Sequence, residues 1–256
     1  MYTAFATVYD RLMAEVDYQK WARFYEALLL MYDVRPGAKA CECACGTGSL
    51  TIALAGLGFQ MTGVDLSPDM LFEASQKARK AGAMIPFIKQ DMRALHLHRQ
   101  MDAVLCTCDG VNYLKGEQEV LEFFGAAFNA LRPGGALMFD LSTPYKLQHV
   151  LGDSFIGDES ADLAYLWKNH WRPDKNCVDM ALSIFTRTEG ETYQRVGEVQ
   201  RQFAYDFDQL TRLLGQTGFE SIRRFGDRRF SPCVPEEQRW HICARKPLLP
   251  EEGERV

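Results

Sequence analysis

The chain has 256 residues, 47% hydrophobic and 25% charged, with a formal net charge of −5. That is enough for one large domain or a domain with an insertion, and the acidic balance argues against broad binding to a phosphate backbone. No run approaches the ~18–20 apolar residues that span a bilayer, the N-terminus lacks the basic-then-apolar pattern of a leader, and the eight cysteines are scattered, so a cytoplasmic chain without membrane attachment is expected.

Tyr2, Phe5, Val8, Tyr9, Leu12 and Met13 recur at helical spacing, and Asp17 is placed to cap a second helix running to about Met31. From Ala38 to Ser142, short apolar runs alternate with amphipathic stretches. Strands are expected at 38–44, 59–65, 85–91, 101–108 and 136–142, with helices between them. Ser67 and Pro68 fit the N-cap and first position of one helix, which stops near Gly82. This alternation predicts an α/β fold with a doubly wound, mostly parallel seven-stranded sheet. After Pro144 three strands, 163–171, 177–187 and 192–204, read as an antiparallel meander with one wet face. A helix at 207–216 and a hairpin of 219–226 with 239–246 would complete the sheet, and 248–256 reads as a frayed tail.

The chemistry concentrates in Ala40 to Leu50, ACECACGTGSL. Gly46 and Gly48 follow a strand and precede a helix, a turn that lets backbone N–H groups approach a ligand. Asp65 ends the next strand, at the same carboxyl edge of the sheet, where a carboxylate suits a ribose diol. The dinucleotide fingerprint G-x-G-x-x-G is absent, because Ala44 and Ser49 replace its first and last glycines. Glu42 would repel a pyrophosphate but attract an ammonium group, so the implied ligand is a nucleoside with a cationic amino-acid tail.

ECACGTG, then GVDLSPDML, QDM and LRPGG, in that order, resemble the motif series of class I S-adenosylmethionine-dependent methyltransferases. YDRLM, DYQKW and RWHICARK further resemble a bacterial small-molecule-type subgroup with an inserted β-lid. The resemblance implies a Rossmann-like methyltransferase sheet with S-adenosylmethionine as cofactor. It implies that Glu42 and the backbone of Ala44, Cys45, Gly46 and Gly48 hold the methionine moiety. Asp65 would take the ribose, Leu66 and Met70 would flank the adenine, and Asp91 and Met92 would read its edge. Cys108 would sit near the sulfonium, and Tyr9 would reach the cofactor carboxylate. One departure is Ala44, where the family usually has glycine, which reduces backbone clearance. The implied domains are helices at 1–36 over the cofactor, a core of 37–150 and 204–247, a lid at 151–203 and a tail at 248–256.

Methyl transfer from a sulfonium is an in-line displacement that needs alignment, exclusion of water and, for some acceptors, a base. Asp109, Tyr113 and His170 are the candidate catalytic residues. Asn112 is a further polar candidate beside the acceptor, and Trp167, His170 and Trp171 could wall its pocket. His241 reads as a buried strand residue. Cys41, Cys43 and Cys45 share one face of a strand beside Cys106 and Cys108. Residues spaced about 6.6 Å apart make an awkward bite for one tetrahedral ion, so no metal is expected. Arg223 to Phe230, RRFGDRRF, is a basic cluster with aromatics, read as a solvated edge rather than a phosphate surface. The expectation is a monomer or homodimer that methylates N or O of a small molecule. The rivals are an RNA or tRNA methyltransferase and a non-catalytic module that binds the cofactor.

Overall fold

The computed structural model describes residues 3–248, with side chains undescribed at 3–5 and 7. Tyr2 and the tail from Leu249 therefore lie outside the described residues, as does the side chain of Phe5.

Two helices lead the fold, α1 (Thr3–Leu12) and α2 (Tyr18–Met31). Asp17 caps α2 by accepting from the Lys20 N–H at 2.9 Å. The core then alternates β1 (Lys39–Cys43), α3 (Ser49–Gly56), β2 (Gln60–Asp65), α4 (Pro68–Lys80), β3 (Phe87–Lys89), β4 (Met101–Cys106), α5 (Gly116–Ala130) and β5 (Leu131–Ser142). Ser67 caps α4 and Pro68 opens it. After an insertion come α6 (Phe207–Thr217), β10 (Glu220–Phe225) and β11 (Arg239–Arg245). The seven core strands lie in the order β10-β11-β5-β4-β1-β2-β3. β5, β4, β1, β2 and β3 run parallel, β11 runs antiparallel to β5, and β10, antiparallel to β11, closes the sheet in the direction of the core strands. This is the doubly wound sheet that the alternation of elements implies.

Both faces of the sheet are covered, which explains its near-continuous apolar strands. Trp21, Tyr25, Leu28 and Leu29 of α2 pack with Leu50 and Leu54 of α3 against Ala103, Leu105 and Met138. Phe123 and Phe124 of α5 and Leu210, Leu213 and Leu214 of α6 cover the other face, against Cys41, Cys43, Cys106 and Phe139. Cys43 lies opposite Cys106 in the β1–β4 register, and all eight cysteines are thiols. Six of them are buried and serve as small apolar core residues, while Cys108 and Cys233 are half-buried.

The insertion is a separate antiparallel sheet of four strands, not three: β6 (Phe155–Ser160), β7 (Leu163–Arg172), β8 (Cys177–Arg187) and β9 (Tyr193–Phe203). The additional strand, FIGDES, is exposed throughout and has no apolar alternation to announce it. Ala6 and Val8 of α1 pack with Met70 of α4 and with Leu163 and Ile184 of the insertion. The first helix thus joins the insertion to the core.

Candidate functional site

A cavity of about 640 Å³ opens at the carboxyl ends of β1, β2 and β4. It is lined by Tyr9, Glu42, Ala44, Cys45, Gly46, Asp65, Leu66, Met70, Asp91, Met92, Cys108 and Tyr113 among the residues singled out from sequence. Gly48, Asp109 and His170 are not on its wall.

The floor is the turn after β1. Gly46 has φ +53° and Gly48 φ +72°. A Cβ on Gly48 would come within 3.0 Å of Phe87 and of Ala74, so this glycine serves both the turn and the packing beneath it. Ala44 adopts φ +52°, a left-handed conformation costly for a residue with a Cβ. Ala44→Gly is therefore expected to stabilise the fold by about 0.5–1 kcal/mol, net of the greater freedom of glycine in the unfolded chain. Urea unfolding would register this as a higher midpoint at constant slope; a lower midpoint would show that the alanine is unstrained.

Asp65 holds the turn in place. One carboxylate oxygen accepts from the Gly46 N–H and the other from the Ser67 N–H, each at 2.8 Å. Burial raises its pKa, and these N–H donors partly offset the rise. Each oxygen keeps a lone pair for a ligand hydroxyl.

Glu42 is 2% exposed. Its oxygens accept from the hydroxyl of Thr51 on α3 and from that of Thr107 beyond β4, the latter at 2.5 Å. Burial moves its pKa from 4.5 up to about 7, against the pull of these two hydroxyls. Thr51 and Thr107 were not singled out from sequence. The available signal was that a carboxylate in the middle of a buried strand needs donors.

At the far wall, past β3, Asp91 is bound by its neighbour Arg93, whose Nε lies 3.0–3.1 Å from both carboxylate oxygens. Arg93 also pairs with Glu119 at 2.7 Å. Both carboxylate oxygens of Asp91 thus already accept from Arg93. The Met92 sulfur contacts Cys106 Sγ at 3.8 Å.

The segment after β4 carries two consecutive left-handed residues, Cys108 at φ +55° and Asp109 at φ +65°. Their N–H groups both donate to the fully buried Asp140 at 3.0 Å. Asp140 also accepts from the Tyr25 hydroxyl at 3.0 Å and from Arg239. Arg239 pairs with Asp109 at 2.7 Å, and the Ser142 hydroxyl donates to Asp109 at 3.1 Å. Burial alone would raise the Asp109 pKa, but the Arg239 and Lys146 charges outweigh it and hold the carboxyl below its ordinary range.

The candidate catalytic residues therefore separate. Asp109 is locked behind the cavity wall in an ion pair and is not placed as a base. Asn112 spends its side chain on backbone groups of Ser142 and Phe203. His170 needs correction. In β7 the odd positions Leu163, Trp167 and Trp171 turn inward, so His170 occupies the opposite, wet face, where it pairs with Asp153 at 2.6 Å. Trp167 and Trp171 pack against Leu147, Val178, Met180 and Ala204 rather than walling the cavity. Tyr113 does line the cavity, and its hydroxyl donates to Gln200 Oε1 at 2.8 Å. Among the described residues, Gln200 is the insertion's contribution to that wall. Tyr18 also lines the cavity and was missed, because on an amphipathic helix it looks like any core aromatic.

His241 is buried against Trp21, Phe24 and Tyr25, with Nδ1 3.2 Å from the Tyr25 hydroxyl. The arginines of 223–230 are occupied within the molecule. Arg223 lies over Phe225, Arg224 lies over Phe207 and Trp240, Arg228 pairs with Asp227, and Arg229 pairs with Glu237. No helix among the described residues is long and apolar enough to cross a membrane.

Residues 40–135 match a family model described as a methyltransferase domain. The chain is 35% identical over 239 residues to "Putative methyltransferase YqeM" of Bacillus subtilis (strain 168), covering 93% of each. It is 26% identical to a glycine/sarcosine N-methyltransferase of Halorhodospira halochloris, covering 75% of this chain and 69% of that one. The crystal structure of an S-adenosylmethionine-dependent methyltransferase from Clostridium acetobutylicum superposes with a TM-score of 0.87 at 29% identity, covering 96% of this chain and 99% of that one. With its strand order and glycine turn, the chain belongs to the class I S-adenosylmethionine-dependent methyltransferases.

Proposed function

We propose that the enzyme methylates a nitrogen or oxygen of a small molecule held between the glycine turn and the inserted sheet. The cavity fits the cofactor by its chemistry. A buried carboxylate at Glu42 suits the cofactor's ammonium, the Ala44–Gly48 turn offers backbone, and Asp65 retains capacity for the ribose hydroxyls. Leu66 and Met70 supply apolar wall for the adenine, with Asp91 and Met92 at its edge. The cofactor supplies an electrophilic methyl group when bound. The protein's part is to orient the acceptor and exclude water. In this reading residues 1–36 cover the cofactor, 37–150 and 204–247 form the core, and 151–203 act as a lid.

The Tyr113–Gln200 contact carries the small-molecule assignment. It joins core and insertion across a cavity whose volume falls in the ~300–1,000 Å³ range of small-ligand sites. The occupied arginines of 223–230 weigh against a nucleic-acid acceptor. Burial raises the pKa of Tyr9 and Tyr18, so both stand as neutral phenols, hydrogen-bonding groups rather than bases. With Asp109 locked and His170 outside, the wall favours an acceptor that brings its own lone pair, such as a neutral amine. The glycine/sarcosine N-methyltransferase among the relatives likewise methylates an amine nitrogen.

The test is transfer of isotopically labelled methyl from S-adenosylmethionine to a metabolite pool, with total RNA offered in parallel. Label in a small amine or hydroxyl compound supports the reading. Label in RNA overturns it, and tight cofactor binding without any transfer favours the non-catalytic alternative. Asp65→Ala should weaken cofactor binding at least tenfold by calorimetry, since it removes both a ribose acceptor and the anchor of the Gly46 N–H. An unchanged dissociation constant would remove Asp65 from the cofactor site.

A further inference from the structure

The cofactor's tail is a zwitterion, and Glu42 answers only its ammonium. The carboxylate brought in with it faces a wall that already carries Glu42 and Asp65. Among the described residues, the positively charged side chains lining the cavity are Arg93 and Lys115. Arg93 stands at the adenine wall, paired with Asp91 and Glu119, and Lys115 stands at the N-cap of α5 beside the same wall, its backbone N–H bonding Glu119. β3, which leads to Arg93, lies two strands from β1 and Glu42. Arg239 is matched by Asp109 and Asp140. These cations thus stand away from Glu42, at the adenine wall or paired behind the loop after β4.

One cation stands directly behind the tail end. Lys77 of α4 reaches under the glycine turn, with Nζ 2.7 Å from Ser49 Oγ and 3.0 Å from Thr47 Oγ1. Both hydroxyl residues line the cavity. Asp10 of α1 completes the group, 2.5 Å from Lys77 Nζ and accepting the Thr47 hydroxyl at 2.6 Å. Because Ser49 Oγ accepts from Lys77, its own proton is directed elsewhere, toward the Tyr18 oxygen on the cavity wall, and a carboxylate entering there is a stronger acceptor than that phenol.

We infer that Lys77 is the positioning residue for the cofactor's carboxylate, acting through the hydroxyl of Ser49. Asp10 and Thr47, whose hydroxyl is spent on Asp10, hold the ammonium against Ser49 and so tie α1 to the tail end of the site. This rests on the reading that places the tail beside Glu42.

The probes are S-adenosylmethionine and its decarboxylated analogue, which keeps the sulfonium and the ammonium but lacks the carboxylate. Binding of both is measured by calorimetry to the full chain. Lys77→Gln should weaken S-adenosylmethionine about tenfold and leave the analogue unchanged, so that the preference for the carboxylate disappears. Lys77→Arg should restore most of that preference. An equal loss for both ligands, as a merely structural role would give, overturns the proposal, and so does no loss for either. If Lys77→Gln does not fold, Lys77→Met and Ser49→Ala take its place with the same criterion. Glu42→Gln separates the two levels of the argument. Weaker binding of both ligands supports the tail placement whatever Lys77 does, whereas unchanged binding of both removes that placement and the Lys77 assignment with it.

Discussion

Glu42→Gln is expected to weaken S-adenosylmethionine binding by about 2–3 kcal/mol, roughly 30- to 150-fold, while making the cofactor-free protein more stable above neutral pH. Both effects come from one buried carboxyl. With its pKa raised to about 7 in the folded chain from 4.5, the folded state holds a proton that the unfolded state has released between those values. Stability is therefore highest below about 4.5 as far as this group is concerned, and it falls as pH rises through 7. Above pH 7 the ionised carboxylate costs the empty protein on the order of 3 kcal/mol, a cost that the isosteric amide does not bear. The cofactor's ammonium reverses the preference by requiring the charged form. Wild-type affinity should thus rise about tenfold per pH unit up to about 7 and then level off, whereas the variant's pH dependence should lack this component. Calorimetric titrations from pH 5.5 to 8.5, with urea unfolding at each pH, read both limbs. Parallel pH profiles for the two proteins would show that Glu42 does not meet a cation.

The part of this site that sequence makes legible is the part written in short spacing. Gly46 and Gly48 between a strand and a helix, Asp65 at the end of the next strand, and caps such as Asp17 and Ser67 depend on neighbours within a few residues or on the repeat of one α/β unit. Glu42 was legible as a carboxylate in the wrong place for a pyrophosphate, but its threonine partners were not, because Thr51 comes from the following helix and Thr107 from the segment after β4. The Lys77–Asp10 contact and the Asp140–Arg239–Tyr25 group join residues far apart in the chain, and no periodicity records such pairings. His170 is different, since its position can be read from the strand itself. The alternation that turns Trp167 and Trp171 inward puts residue 170 on the opposite face, so the strand pattern itself argues against a catalytic role. The strand at 155–160 left no signal at all, because an edge strand exposed on both faces needs no apolar alternation.

Asp140→Ala is expected to cost about 3–5 kcal/mol of stability, because it strips a half-buried arginine of one of its two carboxylates and orphans three further donors that meet at a fully buried group. Those donors are the Tyr25 hydroxyl and the N–H groups of Cys108 and Asp109, all at 3.0 Å from the Asp140 carboxylate. The two N–H contacts also hold Cys108 and Asp109 in consecutive left-handed conformations, which are costly for the cysteine above all. Without them the segment relaxes, and because Cys108 lines the cavity, cofactor affinity falls with stability. The two consequences can be separated by a second substitution. Arg239→Met removes the stranded charge, so the double variant Asp140→Ala/Arg239→Met should recover part of the stability lost by Asp140→Ala alone. It should not recover the affinity, since the N–H groups of Cys108 and Asp109 still lack their acceptor. Urea midpoints for the cycle and cofactor titrations of each variant measure the two quantities independently. A loss below about 1 kcal/mol for Asp140→Ala would mean that water or Asp109 satisfies Arg239 and the loop unaided, and that the strained turn at the cavity wall does not depend on this carboxylate.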